Sequence, residues 1–437
     1  MKSNVTTLRP VQNYRNAILP DYVTLRVEKY YRERVQETWD GGHVMHGMIP
    51  DSTALMLTSN DYLSIARHPS ILSAMTESLQ HDGNGVLMSG IFLHGPCPQL
   101  ELEQRLANFM HAESGVLCQS GYTANTGLIQ CIANDQTPVY ADMMAHMSLW
   151  EGIRSAGAKA VPFHHNDVEN LERQVLRNGP GIVVVDSVYS TSGNIAPLKE
   201  IADICDAQGC VFVVDESHSL GTHGPNGEGL VVEMGLSDRV HFRTASLAKA
   251  FAGRAGYIAC SKRFNEYFKS ESFPAIFSST LLPHDVAGLS ATLTLIQQEG
   301  WRRHRLHQNA NTVRQELEAL GYNLNGSESQ IVSLEAGPEQ QTIVLRNALE
   351  SRGIFGSPFV APATPKNRSL IRFSIHAGLS DADIERLIRV CRDIREEVDL
   401  ANWSSTRRLN RSKGRPGAGN SMMVPAKQIA VQASVAA

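Results

Sequence analysis

Two short apolar runs stand out along the chain because neither alternates with polar residues. Ile182–Val185 is followed by Asp186, and Val211–Val214 is followed by Asp215. Continuous β-branched runs of this length are typical of strands that are buried on both faces of a parallel sheet. Leu198–Gln208, between them, has the pattern of a crossover helix, so this stretch predicts a βαβ unit.

The same alternation of helical patterns and apolar runs extends from about residue 70 to 295, and it predicts a large α/β domain over residues 56–295. A long helix is predicted around Trp301–Gly321. Shorter strand and helix patterns follow it, at Gln330–Leu334, Gln341–Arg352, Leu370–Ile375 and Asp381–Val398. Together they predict a smaller α+β domain over residues 296–403.

The two ends of the chain have a different character. Residues 1–55 are predicted to form an arm, in which the charged stretch Val23–Thr38 has the pattern of an amphipathic helix. From Ser404 the chain becomes polar, basic and rich in Gly and Pro, so residues 404–437 are predicted to be a disordered tail.

Composition excludes several classes of function. The 437 residues are 42% apolar and 19% charged, and the net charge of −4 gives no reason to expect nucleic acid binding. The seven cysteines form no C-x-x-C pair, so a structural metal site is not expected and a reducing cytoplasm fits best. The N-terminus has no signal-peptide pattern, and no run approaches the roughly 20 apolar residues of a membrane span.

Lys249 is the most informative candidate for chemistry. It lies among small and hydroxyl residues, downstream of a predicted strand that ends at Asp215 and is followed by His218. A lysine amine can form a Schiff base with pyridoxal phosphate (PLP), and a carboxylate can keep the pyridine nitrogen of PLP protonated. Taken alone, Asp215 could instead cap a helix or bind a metal in a nucleotide enzyme, but no phosphate-binding glycine motif accompanies it.

Two further segments are compatible with such a site. Ser120, Gly121 and Tyr122 form a glycine turn between an apolar run and the predicted helix Thr123–Ile132. The N-terminus of a helix offers free N–H groups to an anion, although turns of this kind are common. His146 could stack on a pyridine ring or be an ordinary half-buried histidine, and the residues alone do not decide between these roles.

Several motifs in order resemble the α-oxoamine synthases, PLP enzymes of fold type I that join an amino acid to an acyl-CoA. The motifs are Ser59–Ser64, Ser120–Asn125, Asp186–Ser190 with Gly193, Asp215–His218, Ser246–Lys249, Phe277–Pro283 and Leu370–Ser374. Within that family, Ala145–Gly152, Asp215–Gly227 and Thr244–Lys249 are most similar to the quorum-sensing α-hydroxyketone autoinducer synthases. The resemblance implies a homodimer with a large, mainly parallel-sheet domain and a smaller α+β C-terminal domain.

The resemblance also implies a role for each site residue. Lys249 would be the Schiff-base lysine and the base for proton transfer, Asp215 would pair with the pyridinium nitrogen, His218 with the ring oxygen, and His146 would stack on the ring. The phosphate would be held by Ser120, Gly121, Tyr122 and Ser246, with Ser279 and Thr280 reaching the phosphate of the neighbouring subunit. Asn60, Ser190 and Arg372 would hold the carboxylate of the amino acid, for which a guanidinium fork is well suited.

The chain departs from the family pattern at a few positions. Val86 replaces an arginine, Ser64 replaces the glycine of the first motif, and Ala248 replaces the glycine before the lysine. The apolar residues Val86–Met88 and Ile91–Leu93 stand where a cation would bind a charged acyl group. These departures argue against the family's ordinary short or charged acyl substrates and predict a medium or long acyl chain.

The reaction implied is a decarboxylating condensation of an acyl-CoA with 2-aminobutyrate or S-adenosylmethionine, which gives an α-aminoketone. Alternatives are an 8-amino-7-oxononanoate synthase, an enzyme like 2-amino-3-ketobutyrate CoA ligase, or another fold type I aminotransferase or lyase. A PLP-fold regulator is disfavoured because the first 55 residues are too short and irregular for a helix-turn-helix module.

Overall fold

The computed structural model of the chain describes residues 17–413. The beginning of the predicted arm and most of the predicted basic tail therefore lie outside the described residues. Among residues 17–413, no helix combines the length and the apolar character that a membrane span requires.

The described residues form twelve strands: β1 Leu55–Met56, β2 Ser114–Cys118, β3 Pro138–Asp142, β4 Lys159–Phe163, β5 Ile182–Asp186, β6 Val211–Asp215, β7 Phe242–Ser246, β8 Gly256–Cys260, β9 Ile331–Gly337, β10 Ile354–Phe355, β11 Ser357–Phe359 and β12 Ser369–Ser374. The fifteen α-helices in the same range are α1 Asp21–Tyr30, α2 Pro69–Asp82, α3 Pro98–Phe109, α4 Gly121–Ile132, α5 Met147–Ser155, α6 Val168–Asn178, α7 Leu198–Gln208, α8 Leu230–Glu233, α9 Lys262–Glu271, α10 Phe273–Ile276, α11 Pro283–Gln298, α12 Trp301–Ala319, α13 Glu339–Glu350, α14 Asp381–Asp393 and α15 Ser404–Lys413. A π-helical segment, Tyr31–Thr38, continues α1, and short 3₁₀ turns lie at Gly90–Phe92 and Leu400–Asn402.

Seven strands form the central sheet, in the order β2-β8-β7-β6-β5-β3-β4. All neighbours pair in parallel except β8, which is antiparallel to both β2 and β7. The βαβ unit predicted from the two apolar runs is confirmed, because β5 and β6 are parallel neighbours and α7 connects them. The α/β fold with a large, mainly parallel sheet is confirmed with it.

Both faces of this sheet are covered by apolar clusters. On β5, Val183 and Val185 belong to the larger cluster, whereas Ile182 and Val184 point into a separate cluster on the opposite face. Successive side chains of a strand point to opposite faces, so both faces must be buried for a run without polar residues to be favourable. This is why the two strands could be recognised from their sequence.

A second, smaller sheet follows in the chain. Its three strands pair antiparallel in the order β11-β12-β9, and helices α12, α13 and α14 pack around it with a third apolar cluster. The predicted strands and helices of this region are present, with ends shifted by a few residues. The edge strand β11 was not predicted, because Ser357–Phe359 contains only three residues and a proline.

The N-terminal arm is attached to the small sheet region. Strand β1 pairs in parallel with β10, and Arg34 forms an ion pair of 3.0 Å with Glu339 at the start of α13. The indole N–H of Trp39 donates to the same carboxylate at 2.6 Å. The predicted amphipathic helix is present as two consecutive segments, the α-helix α1 and the π-helical segment that follows it.

The structure differs from the predicted start of a disordered tail at residue 404, because helix α15 occupies Ser404–Lys413. Ser405 is fully buried and donates to the backbone oxygen of Glu335 at 2.6 Å, and Arg408 contacts the buried carboxylate of Glu335. A basic, polar sequence resembles a solvated tail, but here its charge pairs with an acidic group inside the small domain. Residues 414–437 of the predicted tail lie outside the described residues.

Candidate active site

A cavity of about 250 Å³ opens at the carboxyl ends of the central strands. In an open α/β sheet this is the edge at which ligands bind. Most of the residues predicted from the sequence line this cavity: Ser120, Gly121, Tyr122, His146, Ser190, Asp215, His218, Ser246 and Lys249. Five lining residues were given no role at the sequence level: Asn125, Ser148, Asp186, Val188 and Ser217.

Asp215 is a buried carboxylate at the end of β6. Its Oδ2 accepts from Nδ2 of Asn125 at 2.7 Å, and its Oδ1 accepts from the backbone N–H of Ser217 at 2.8 Å. These two donors fix the plane of the carboxyl group without neutralising its charge. Asp215 can therefore accept a hydrogen bond from a ligand in one fixed direction.

Asp186 lies directly beside Asp215, because the two residues are register partners at the ends of β5 and β6. Burial, followed by the repulsion from Asp215, raises the pKa of the Asp186 carboxyl well above its usual range. The carboxyl group accepts from the backbone N–H of His146 at 3.1 Å. The two neighbouring acids therefore differ in environment: the surroundings of Asp186 favour its protonated form, and its carboxyl group fixes the loop that carries His146.

Lys249 lies in the loop after β7 and lines the same cavity. Burial lowers the pKa of its amine, and Arg372 lowers it further, whereas Asp215 and Asp186 act in the opposite direction. The net shift is downward, which increases the share of neutral amine at a given pH. A neutral amine is the form that can act as a nucleophile or as a base.

His218 is buried, and its Nδ1 lies 2.7 Å from the hydroxyl of Tyr62. Burial is the main cause that lowers the pKa of His218 well below its usual value, and the cations Lys249 and Arg372 add to the effect. Burial also raises the pKa of Tyr62, to about 12. The pair is therefore a neutral imidazole held by a neutral phenol, and Tyr62 is a site residue to which the sequence interpretation gave no role.

The turn before α4 forms a tight cradle. A Cβ on Gly121 would lie 2.5 Å from Cβ of Ser246, so only glycine allows this approach. The Ser120 hydroxyl caps the helix by accepting from the N–H of Thr123 at 3.1 Å, and the Ser246 N–H donates to Ser217 Oγ at 2.8 Å. The backbone N–H groups at the start of α4 thus face the cavity beside the Ser246 hydroxyl.

His146 caps the next helix, α5, and its ring lines the same cavity. Its Nδ1 lies 2.7 Å from the hydroxyl of Ser148 at the start of α5, and the ring meets that of Tyr122 edge to face at 6.4 Å. Burial lowers the pKa of His146, and the charge of Asp215 partly opposes this effect. The imidazole therefore presents a neutral ring to the cavity.

Arg372 lies on β12 of the small sheet and contacts Ser190, which lines the cavity, whereas Arg372 and Asn60 are not among the lining residues themselves. Its Nη1 donates to the backbone oxygen of Ser190 at 2.9 Å, and its Nη2 donates to Oδ1 of Asn60 at 3.0 Å. Its buried Nε has no hydrogen-bond partner among residues 17–413. The structure therefore brings Asn60, Ser190 and Arg372 together, as the predicted carboxylate site requires.

Ser279 and Thr280 lie outside the cavity of their own chain. The backbone N–H of Thr280 donates to the oxygen of Met88 at 2.8 Å, and Ser279 pairs with Ser89. Ser279 is exposed. These two residues are thus available to another molecule, and their predicted role at the phosphate of a second subunit stays a prediction.

The side chains fit the predicted cofactor. The helix N-terminus with Gly121 and Ser246 can bind a phosphate, the fixed carboxylate of Asp215 can accept from a pyridinium nitrogen, and Lys249 can form the imine. His218 can meet the ring oxygen. The close approach at Gly121, which leaves no room for a side chain, is what a backbone cradle for a phosphate requires.

Two of the residues without a predicted role could have been found from their positions in the sequence. Asp186 ends a predicted strand next to the one that ends at Asp215, and Asn125 follows Gly121 by four residues, which places both on one face of a helix. Nothing in the sequence indicates that Tyr62 contacts His218, because the two residues are 156 positions apart.

Comparison with known proteins gives a consistent result. A family model described as aminotransferase class I and II matches residues 52–390. The CAI-1 autoinducer synthase of Vibrio campbellii is 44% identical over 382 residues, which cover 87% of this chain and 97% of that protein. The 8-amino-7-oxononanoate synthase 1 of Bacillus velezensis is 30% identical, and the match covers 80% of this chain and 91% of that protein.

Among solved structures, serine palmitoyltransferase from S. paucimobilis with bound PLP–myriocin aldimine superposes with a TM-score of 0.78. It is 26% identical, and the superposition covers 87% of this chain and 98% of that chain. The residues matched by the family model include the whole site, from Asn60 to Arg372.

Proposed function

This chain belongs to the class I and II aminotransferase family, and within it to the α-oxoamine synthases, and on that premise we propose that it makes the α-aminoketone precursor of an α-hydroxyketone autoinducer. It is a PLP-dependent acyltransferase. The proposed substrates are a medium or long straight-chain acyl-CoA and either 2-aminobutyrate or S-adenosylmethionine. The products are the aminoketone, coenzyme A and carbon dioxide, and S-adenosylmethionine would require a further elimination.

One observation carries this proposal: the 44% identity to an autoinducer synthase over 87% of the chain, combined with a cavity that contains Asp215, His218 and Lys249. Bound PLP supplies an aldehyde for the amino group and a ring that accepts electrons from Cα of the amino acid. Asp215 serves this chemistry by holding a proton on the ring nitrogen. His218 donates to or accepts from the ring oxygen as a neutral imidazole.

Lys249 moves the proton. Once the amino acid occupies the site, the Nζ of Lys249 is free to take the proton from Cα and to return one later. Burial lowers the pKa of this amine, which leaves more of it in the neutral form that a base requires. Without the opposing charge of Asp215, the pKa of Lys249 would be lower still.

Arg372, Asn60 and Ser190 orient the amino acid. The guanidinium is already fixed by Asn60 and by the backbone of Ser190, so little conformational entropy is lost when a carboxylate binds. Its Nε, which has no partner among the described residues, provides one more donor. The position of the bound carboxylate determines which bond at Cα faces Lys249.

The acyl chain is proposed to lie against the apolar segment Val86–Leu93. Val86, Leu87 and Phe92 are 70%, 72% and 59% exposed in the single chain. Exposed apolar groups of this size favour an apolar partner. If Ser279 and Thr280 of one subunit lie at the phosphate site of the other, the apolar segment of the first subunit lies beside the acyl group bound to the second. We propose a homodimer for that reason.

The alternative of an 8-amino-7-oxononanoate synthase is less favoured, because such relatives are 28–32% identical and the arginine of the ordinary family is replaced by Val86. The products distinguish the candidates. We expect coenzyme A to be released only when an acyl-CoA and an amino acid are both present, with mass spectrometry identifying a long-chain aminoketone. An amino-group transfer that needs no acyl-CoA would contradict the proposal.

A further inference from the structure

Two histidines cap the start of a helix with the same local motif. His68 precedes α2 and His146 precedes α5, and each is followed two residues later by a serine. In both cases the serine N–H donates to Nδ1 of the histidine at 3.3 Å. The serine hydroxyl lies 2.8 Å from that nitrogen at His68 and 2.7 Å from it at His146. By itself the motif caps a helix and indicates no role in a reaction.

The serine that follows His146 has a further partner. Ser148 is fully buried, and its Oγ accepts from Nδ2 of Asn125 at 2.8 Å. The second hydrogen of the same amide goes to Oδ2 of Asp215 at 2.7 Å. In the other motif Ser70 is exposed, and within residues 17–413 its hydroxyl contacts only the histidine that caps the helix. A neighbouring group therefore fixes the direction of the hydroxyl in one motif and leaves it free in the other.

The position of each hydrogen follows from what these groups can donate and accept. A carboxylate oxygen accepts, so the amide nitrogen of Asn125 must face Asp215, and the amide oxygen accordingly accepts from the hydroxyl of Thr244 at 2.5 Å. Because Ser148 Oγ accepts from the amide, its own hydrogen can go to Nδ1 of His146. The backbone N–H of Ser148 also donates to Nδ1. The hydrogen of the neutral imidazole therefore lies on Nε2.

The Nε2 of His146 has no hydrogen-bond partner within residues 17–413, and His146 lines the cavity that contains Lys249. Burial lowers the pKa of the imidazole, the charge of Asp215 opposes this shift, and Lys249 adds to it. A neutral ring held in this tautomer presents a hydrogen-bond donor to the cavity and not an acceptor. A donor that is fixed in advance needs no reorganisation when negative charge develops on a substrate oxygen.

We propose that Ser148 is a positioning residue: together with Asn125 it holds His146 in the tautomer that carries its hydrogen on Nε2. One buried amide thus orients both Asp215 and His146. The hydrogen on Nε2 is then available to the thioester oxygen, which gains negative charge when Cα attacks. The use of this hydrogen rests on the proposed acyl transfer, whereas the tautomer itself does not.

The first test is NMR of the holoenzyme with isotope-labelled histidine nitrogens. Its variants are Ser148→Ala and, as the matched control from the exposed motif, Ser70→Ala. The signals that disappear in His146→Asn identify His146. We expect the wild type and the control to show His146 with its hydrogen on Nε2. A wild-type hydrogen on Nδ1, or an even mixture of the two tautomers, would overturn the proposal.

The same spectra give the pKa of His146. We expect it to rise in Ser148→Ala, because a hydroxyl that donates to Nδ1 stabilises only the neutral ring. The other titratable groups that face this ring are unchanged in the variant; they are Asp186 on β5, Asp215 on β6, Lys249 after β7 and Tyr122 on α4. An unchanged pKa would contradict the role of the hydroxyl.

A double-variant cycle tests whether Ser148 acts through His146. We expect Ser148→Ala to lower kcat about tenfold, as for the loss of about one hydrogen bond, with unchanged PLP content. In the background of His146→Asn, where asparagine still caps the helix, the same change should alter kcat by less than about twofold. Equal losses in both backgrounds would show a purely structural role and overturn the proposal.

A second variant serves if Ser148→Ala does not fold. Ser148→Cys keeps nearly the same volume and a weaker donor, so the pKa of His146 and kcat should change in the same directions by smaller amounts. A fall in the pKa of His146 in this variant would contradict the proposal.

The tautomer and the pKa are measured without turnover, so their outcome is distinct from that of the proposed function. A holoenzyme with the hydrogen on Nε2 that transfers no acyl group would support the positioning role and refute the function. A holoenzyme that transfers acyl groups with the hydrogen on Nδ1 would do the reverse.

Discussion

The polar end of the active-site cavity and the apolar segment Val86–Leu93 are organised in opposite ways. At the polar end, Asp215, Asp186 and His218 are buried, and each has a hydrogen-bond partner. In the apolar segment, Val86 and Leu87 are more than two-thirds exposed. The chain therefore prearranges its own polar groups for the chemistry, whereas the surface proposed for the acyl group is completed by another molecule.

This difference has a physical reason. A buried charge or polar group without a fixed partner is costly, so the chain must satisfy Asp215 and Asp186 by itself as it folds. An exposed apolar side chain costs a monomer much less free energy than an unpaired buried charge does. It contributes favourable free energy only when another molecule covers it. Changes at the polar end should therefore alter the reaction rate, and changes in the apolar segment should alter substrate preference.

The largest effect is expected for Lys249→Ala. Without an amine at this position, the Cα proton has no base, and we expect kcat to fall by at least about 10³-fold. The fold and the PLP phosphate site should be retained, as measured by circular dichroism and by PLP content. The control Lys199→Ala removes an exposed lysine and should retain wild-type turnover; comparable turnover in both variants would refute the role of Lys249.

A somewhat smaller loss is expected for Asp215→Asn. An amide cannot keep the ring nitrogen protonated, so exchange of the Cα proton with solvent deuterium should slow about 10²–10³-fold, the range seen when an electrostatic partner is lost. Asp186→Asn is the paired comparison. Burial and the charge of Asp215 raise the pKa of its carboxyl group and favour the protonated form, so a neutral amide should cost much less. Equal losses in the two variants would contradict the difference inferred between these acids.

The contribution of the apolar segment should be seen in how kcat/KM depends on the length of the acyl chain. Each buried methylene contributes about 0.8 kcal/mol, so several added methylenes should raise kcat/KM about tenfold or more over acetyl-CoA. Val86→Arg restores the cation of the wider family and should lower kcat/KM for the long-chain substrate while leaving deuterium exchange at Cα unchanged. Leu176→Arg, on the exposed face of α6, is the control. A preference of the wild type for acetyl- or succinyl-CoA would refute the apolar site.

The smallest effect is expected for Tyr62→Phe. The variant leaves Nδ1 of His218 without its buried partner, which should lower the free energy of unfolding by about 1–2 kcal/mol. Chemical denaturation measures this change, with the exposed Tyr22→Phe as its control. We expect the reaction rate to fall only severalfold, because the imidazole is still neutral. A variant as stable as the wild type would show that the 2.7 Å contact contributes little.

The parts of the fold that were predicted share one property. Strands β5 and β6 have both faces buried, and helices such as α7 and α12 are long enough for their period to be recognised. The short strands β1, β10 and β11 were not predicted, because two or three residues carry no period and their pairing is decided by distant partners. Helix α15 was missed because the partner of Arg408 is Glu335, on another element.

The sequence by itself determined the chemical identity of the site: an acid at the end of a strand, a histidine one turn later, a lysine in a loop of small residues and a glycine at a helix start. These are local patterns, set by the backbone and by the chemistry of single side chains. Only the tertiary structure decided the environment of each group. The pKa of Asp186 is raised by burial and by Asp215 on the neighbouring strand, His218 is held by Tyr62, and Arg372 contacts Ser190 from the small sheet. Burial and the distances between charges depend on which elements pack together, and those contacts join residues that are far apart in the sequence.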